Sequence, residues 1–167
     1  MLYSILSQEG ECENFQLMDL AVVILNWHAA ADTVRCVRNI AAWERLKPIV
    51  LVVDNASTDD SVSVIERECP EAHIIRNSVN LGFGGGNNRG IVEALSLEDA
   101  PILLLNNDAS ISENSVARLL RTLRDNDQVG LIGPLLFSDE ERDTLLAAGA
   151  RNPAYHHHSH IREAPTD

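Results

Sequence analysis

Apolar residues in this chain fall into short unbroken runs, separated by segments in which they recur at helical spacing. Ala21-Val22-Val23-Ile24-Leu25 is the first run, followed by Ile49-Val50-Leu51-Val52-Val53 and Ile102-Leu103-Leu104-Leu105, while His73-Ile74-Ile75-Arg76, with polar ends, reads as a short strand between the last two. Runs of this length predict strands buried on both faces of a parallel sheet. Between them, Val34, Val37, Ile40 and Ala41 predict a helix over residues 31–46, and Val62 and Ile65 a second one. A third helix is expected to bury the face shared by Asn88, Ile91, Val92 and Leu95, and a fourth that of Val116, Leu119, Leu120 and Leu123. Ser57 with Asp60, and Ser110 with Glu113, have capping-box spacing before the second and fourth helices. Val129-Gly130-Leu131-Ile132-Gly133 predicts a fifth strand. Residues 1–19 show weak periodicity and read as a leader or an added helix. Beyond Phe137 the pattern fades into Asp139-Glu140-Glu141-Arg142-Asp143 and a His-rich tail. The expected division is therefore 1–19, 20–137 and 138–167.

Strands alternating with helices predict an α/β domain of three layers, α/β/α, with a mainly parallel sheet and right-handed crossovers. With strand order 3-2-1-4, the first strand separates the second from the fourth. Asp54 and Asp108, which follow those two strands, would then stand on the order of 10 Å apart, two strand spacings. The carboxyl ends of such strands are where open α/β sheets bind ligands.

Bulk composition narrows the choice. A chain of 167 residues makes about one domain with a substantial core. Aromatic residues are only 4%, so aliphatic side chains must fill that core. A net charge of −12 argues against binding a nucleic-acid backbone or docking directly on an anionic membrane. An anionic nucleotide remains accessible if a divalent cation mediates. Cys12, Cys36 and Cys69 are scattered, with no CxxC pair, which suggests neither a zinc site nor a disulfide framework. No apolar run approaches the ~20 residues that span a bilayer. A cytoplasmic protein is expected, peripheral to a membrane only through partners.

Candidate chemistry gathers after the strands. From Gly82 to Gly90 five of nine residues are glycine, in Asn80-Leu81-Gly82-Phe83-Gly84-Gly85-Gly86-Asn87-Asn88-Arg89-Gly90. Such a segment reads either as a loop whose backbone closely approaches a ligand or as a structural turn and helix entry. It lacks the third glycine of GxGxxG and the Lys-Ser/Thr of a P-loop. Asp54 and Asp108 each read either as a ligand-binding acid or as a turn residue. Mg²⁺ or Mn²⁺ would suit Asp108, because such ions use one or two carboxylates with phosphate oxygens and water. Asn106 would add a carbonyl. His156, His157, His158 and His160 read as a solvated tail or a transition-metal tract.

The combined series is more specific than its parts. Val22-Val23-Ile24-Leu25-Asn26-Trp27, Val52-Val53-Asp54-Asn55-Ala56-Ser57-Thr58-Asp59, the glycine segment and Leu104-Leu105-Asn106-Asn107-Asp108-Ala109 together resemble the family 2 glycosyltransferases, most of all their rhamnosyltransferase-like branch. The resemblance spans about residues 21–133. It implies a GT-A fold and an inverting, metal-assisted transfer from a dTDP- or UDP-sugar, dTDP-rhamnose among them, to a glycan or lipid-linked acceptor. Asp54 would contact a uracil or thymine base, so Asp54→Ala should weaken nucleotide binding and leave the unliganded fold nearly unchanged. Asn26 and Trp27 would line the same pocket with Asn55. Gly84, Gly85, Gly86 and Asn87 would border the nucleotide. Asn106-Asn107-Asp108 would stand for the DxD motif, with Asp108 and Asn106 at the metal and Asn107 beside the donor. The family's catalytic base lies in a later segment that nothing here matches; Glu140, Glu141 and Asp143 read as a charged turn. The expectation is a donor-binding half that transfers sugar poorly alone and self-associates through the region after Gly133. The alternative is a non-catalytic nucleotide-binding or interaction module.

Overall fold

The computed structural model describes residues 20–97, 100–138 and 145–147. The leader, Cys12, the charged run with Glu140, Glu141 and Asp143, and the histidine tail lie outside them. Two compact units divide between Ser110 and Ile111.

The first unit runs β1 (Ala21–Asn26), α1 (Ala30–Ala41), β2 (Ile49–Asp54), α2 (Ser61–Glu68), β3 (His73–Arg76), α3 (Gly82–Leu97) and β4 (Ile102–Asn106). Its strands form one parallel sheet in the order β3-β2-β1-β4, as expected. Val22, Val23, Ile24, Leu51, Val52 and Val53 are sealed from solvent on both faces of the two central strands. That explains their continuous rather than alternating apolar pattern. Ala21, Val23, Leu51, Val53 and Ile75 pack with Ala94 of α3 on one face. The other face carries Asn26 and Asp54, and α1 covers it through Thr33, whose hydroxyl bonds Asn26. Right-handed crossovers require this division, since the path from β3 to β4 runs back across the sheet.

Several expectations change. α1 ends at Ala41 rather than near residue 46, and Ala41 is exposed. The amide of Trp43 closes a tight turn on the Ile40 carbonyl at 3.0 Å, which turns Trp43 and Leu46 inward from the connection. The Ser57–Asp60 capping box does not form. Ser57 is drawn to Asp54 and Asn26, and Asp60 takes the N-cap of α2.

Of the two readings of the glycine segment, the turn and helix entry is the one the fold adopts: from Gly82 it forms the first turns of α3 and not a loop. Glycine costs ~1 kcal/mol per residue in a helix interior relative to alanine, so local preference does not make this helix. Packing does. A Cβ on Gly86 would collide with Leu25 Cδ1, and one on Gly90 would collide with Val23 Cγ1 and lie 2.9 Å from Val53 Cγ2. Gly86, Gly90 and Ala94, at i, i+4, i+8, let the helix lie against β1 and β2. Asn88, Ile91, Val92 and Leu95 do share a face, but it is the outward one. Val92 and Leu95 are more than half exposed.

The second unit holds α4 (Glu113–Arg124), β5 (Leu136–Phe137) and β6 (Leu145–Ala147), the last two paired antiparallel. On α4, Val116 and Leu120 are buried, with Leu119 and Leu123 half-buried beside them. Its N-cap is Ser112, whose Oγ accepts from the Ser115 amide at 3.1 Å, so the Ser110–Glu113 box is displaced by two residues. Residues 129–133 form no strand; Leu131 is 92% exposed and nothing lies within 4 Å of a Cβ on Gly130 or Gly133.

Candidate functional site

The parallel register sets Asn26 level with Asp54 and Leu25 level with Asn106. The ends of β1, β2 and β4 therefore share one edge of the sheet, and the polar side chains that follow them meet there. Asn26 Nδ2 donates to Asp54 Oδ1 at 2.8 Å, and the Ser57 amide donates to Asp54 Oδ2 at 3.0 Å. Thr33 Oγ1 donates to Asn26 Oδ1 at 2.8 Å and accepts from Asn107 Nδ2 at 3.1 Å. Asn26 and Thr33 are fully buried and Asp54 nearly so. A carboxylate can be held there because each of its oxygens is met by an N–H donor.

The loops after β1 and β2 are latched together. Ser57 Oγ accepts from the His28 amide at 3.0 Å and from Asn26 Nδ2 at 3.3 Å. The Thr58 amide donates to His28 Nε2 at 2.9 Å, which assigns that ring nitrogen a free lone pair. His28 and Ala56 sit at φ 53° and 63°, in left-handed backbone that non-glycine residues adopt at a cost of about 1–3 kcal/mol. The latch holds both turns there. Trp27 stands beside them, 55% exposed, its ring centroid 4.9 Å from that of His28.

Asn55 fastens the start of α3. Its Oδ1 accepts from Asn77 Nδ2 at 3.1 Å and the Leu81 amide at 3.0 Å; its Nδ2 donates to Asn80 Oδ1 at 2.8 Å and the Gly82 carbonyl at 3.2 Å. All four valences of the amide are taken up internally. The N-terminus of α3 is thereby fixed beside the end of β2, with Gly82 at φ 71°. Of the glycines in question, Gly84 is exposed and Gly85 half-buried, while Gly86 and Asn87 turn inward. Asn87 Nδ2 donates to the Phe83 carbonyl one turn back, at 2.9 Å.

Asn106 and Asp108 are exposed and Asn107 half-buried, in the turn closed by the Ala109 amide on the Asn106 carbonyl at 3.0 Å. Among the described residues no group of three or more His, Cys, Asp or Glu side chains is placed to hold a metal. The donor set around Asp108 is one open carboxylate with neighbouring amides. It suits Mg²⁺ or Mn²⁺, which take most of their remaining ligands from phosphate and water.

Cys36 lies under this turn, its thiol 3.8 Å from the Asn106 carbonyl. Burial pushes its pKa from the ordinary 9.0 up to about 11, with Arg35 opposing and the charge of Asp108 adding. Burial also raises Cys69, helped by Glu71. Both are free thiols. The folded value of Cys36 lies above the unfolded one, so its contribution to stability is complete below about pH 9 and is lost as pH climbs towards 11. Iodoacetamide at pH 8 should therefore leave Cys36 and Cys69 unlabelled in the native chain and label them in urea, as read by peptide mass spectrometry. Rapid native labelling at Cys36 would contradict its burial.

His28, Thr33, Ser57 and Thr58 escape a reading of the sequence as site residues. Thr33 carries one signal: it precedes Val37 and Ile40 on the same helical stripe, a hydroxyl where an aliphatic residue is expected.

A 3-2-1-4 parallel sheet with helices on both faces and polar residues converging at one edge defines a GT-A-like α/β domain. The chain belongs to glycosyl transferase family 2, which residues 21–161 match. It is 27% identical over 143 residues to the low-salt glycan biosynthesis hexosyltransferase Agl10 of Haloferax volcanii, covering 84% of this chain and 44% of that protein. It is 24% identical over 139 residues to the uncharacterized glycosyltransferase alr2836 of Nostoc sp., covering 81% and 42%. The chain thus spans less than half the length of both curated relatives. Among solved structures, its fold is similar to that of the mannosyltransferase PcManGT from Pyrobaculum calidifontis in complex with GDP-Man and Mn²⁺ (TM-score 0.53, 19% identity, 66% of this chain and 33% of that one). It is also similar to that of S. aureus TarS 1–349 (TM-score 0.52, 14% identity, 73% and 40%). Among the described residues no helix is long and apolar enough to cross a membrane.

Proposed function

We propose that this chain supplies the donor-nucleotide end of a glycosyltransferase of glycan synthesis, taking as its donor a dTDP- or UDP-sugar, dTDP-rhamnose among them. The observation that carries this reading is the hydrogen-bonded line from Asp54 through Asn26 and Thr33 to Asn107. Those bonds join Asp54 and the turn of Asn107 at one end of the sheet, which supports reading the first as the base side and the second as the diphosphate side of a single donor site.

Asp54 spends one lone pair of each oxygen on Asn26 and Ser57. The remaining lone pairs are free to accept the N3–H of uracil or thymine. The exposed Trp27 ring offers an apolar wall beside that base. Asn55 acts through the backbone, holding the amide-rich start of α3 next to β2, where a helix N-terminus favours negative charge. Asp108, with the side-chain carbonyl of Asn106, would hold Mg²⁺ or Mn²⁺. An ion held there supplies positive charge against a departing diphosphate. The homologous fold with GDP-Man and Mn²⁺ supports a nucleotide sugar and a divalent ion as the ligand classes. The acceptor, a glycan or lipid-linked sugar, belongs to the same proposal.

Thermal unfolding with UDP, dTDP and GDP, each with and without Mn²⁺, tests the reading. UDP or dTDP at 100 times its Kd should add about 2.7 kcal/mol, more than GDP at equal concentration. Asp108→Asn should remove the benefit of Mn²⁺ and keep the metal-free shift. If all three nucleotides leave the melting curve in place, the donor-site reading fails. If Mn²⁺ helps mutant and parent equally, Asp108 is a turn residue.

A further inference from the structure

We propose that Thr33 is a positioning residue: its hydroxyl ties the turn that carries Asp108 to the buried Asp54 carboxylate, so that nucleotide affinity and its enhancement by a divalent ion depend on one another. This rests on the donor-site reading above.

The direction of each hydrogen bond follows from chemistry. Ionised Asp54 accepts only, so Asn26 must present its NH₂ there, at 2.8 Å. The other end of that amide is then a carbonyl, to which Thr33 must donate, at 2.8 Å. A hydroxyl has one proton, so Thr33 meets Asn107 with a lone pair and accepts from its NH₂ at 3.1 Å. The charge on Asp54 thus orders three hydrogen bonds in sequence and sets the rotamer of Asn107, next to Asp108. Such chains polarise along their length, and burial keeps water from substituting for a missing link. Asn26 and Thr33 are completely buried. The Ala109 amide and the Cys36 thiol meet the same turn at the Asn106 carbonyl, and Thr33 is the buried side chain that bonds Asn107 itself.

Thr33 is suited to the task by its place. It lies in the first turn of α1, on the stripe with Val37 and Ile40, so the core locks its side chain. It bridges β1 to the turn after β4 without touching solvent, and a ligand in the site need not contact it. The residue therefore acts through Asn107.

The experiment is calorimetric titration of UDP and dTDP into the parent, Thr33→Val and Thr33→Ser chains, each with and without Mn²⁺. The readout is the ratio of the metal-free Kd to the Kd with Mn²⁺. Valine keeps the shape and removes the hydroxyl; serine keeps the hydroxyl. Thr33→Val should lower the ratio by about 5-fold or more, the low end of measured couplings between sites. It should change the metal-free Kd far less, and Thr33→Ser should keep the parent ratio. Asn107→Ala cuts the same bond from its half-buried end and should lower the ratio likewise. It decides the matter if Thr33→Val melts below the assay temperature. An unchanged ratio in a folded Thr33→Val or Asn107→Ala chain overturns the positioning role while leaving the donor site standing. A fall in Thr33→Ser equal to that in Thr33→Val also overturns it, since packing and not the hydroxyl would then be at work. A parent that binds neither nucleotide refutes the donor site itself, and this inference with it.

Discussion

Replacing Gly90 by valine should cost this domain a large part of its stability, and Gly90→Ala should already cost about 2 kcal/mol, within the usual range for overpacking. On helix propensity alone the alanine variant should gain, by up to ~1 kcal/mol. Space decides against it. The new Cβ would collide with Val23 Cγ1 and lie 2.9 Å from Val53 Cγ2, and both valines are sealed from solvent in the centre of the sheet. Neither can retreat, so α3 must lift from β1 and β2. Lifting it disturbs the Asn55 clamp at its start as well as the core. Valine adds two further methyl groups at the same point. With a total stability on the order of 5–15 kcal/mol, that variant is expected to be mostly unfolded at physiological temperature. Gly84→Ala provides the contrast. Nothing lies within 4 Å of its Cβ, so the propensity gain of up to ~1 kcal/mol should be realised. Urea unfolding midpoints measure all three. A Gly90→Ala chain at least as stable as the parent would show that the glycines are not there for close approach.

Asp54→Ala should destabilise the unliganded chain by about 3 kcal/mol, the loss expected when hydrogen bonds to a buried charged group are removed and their donors left unpaired. The sequence alone suggests the reverse, a surface acid whose removal spares the fold. The structure shows Asp54 3% exposed, accepting from Asn26 Nδ2 and from the Ser57 amide. Alanine strands both donors, and Asn26 has no access to water. Ser57→Ala should cost less, because the backbone N–H to Asp54 survives. Asp54→Asn should fall between, since its Oδ1 can still accept from Asn26 but its NH₂ would face the Ser57 amide. Urea midpoints at pH 7 rank the three. An Asp54→Ala chain within 0.5 kcal/mol of the parent, the range of ordinary surface changes, would mean that the network does not bear on folding. The result also governs how a binding defect in Asp54→Ala is read: its affinity must be measured well below its melting temperature.

The sheet and its strand order were legible because continuous Val/Ile/Leu runs between helical segments have few topological solutions. His73–Arg76 was expected and observed with the same limits, and β1 and β2 each differ by one residue at the carboxyl end. The edge at which Asn26, Asp54 and Asn107 meet follows from that order. Their connection does not. It depends on Thr33, which lies far from Asn107 in sequence; the stripe it shares with Val37 and Ile40 marks it as inward but does not say what its hydroxyl bonds.

The glycine segment shows where pattern reading reaches its limit. Composition suggested either a loop in close approach to a ligand or a structural turn and helix entry. What approaches closely is the core of the sheet, and the backbone is a helix. Hydrophobic periodicity searches for large apolar side chains, so it assigned the inner face of α3 to Ile91, Val92 and Leu95. A face packed tightly against strands instead carries residues with almost no side chain, and Gly86, Gly90 and Ala94 occupy it. Likewise residues 129–133 have the composition of a strand, yet strand formation requires a partner for the backbone, and Leu131 stands almost wholly in solvent. Local composition therefore specified which segments bury themselves and which acids end them. Which face turns inward, and whether Asp54 is a surface ligand or a buried anchor of its own site, depended on distances between strands and helices that no single segment encodes.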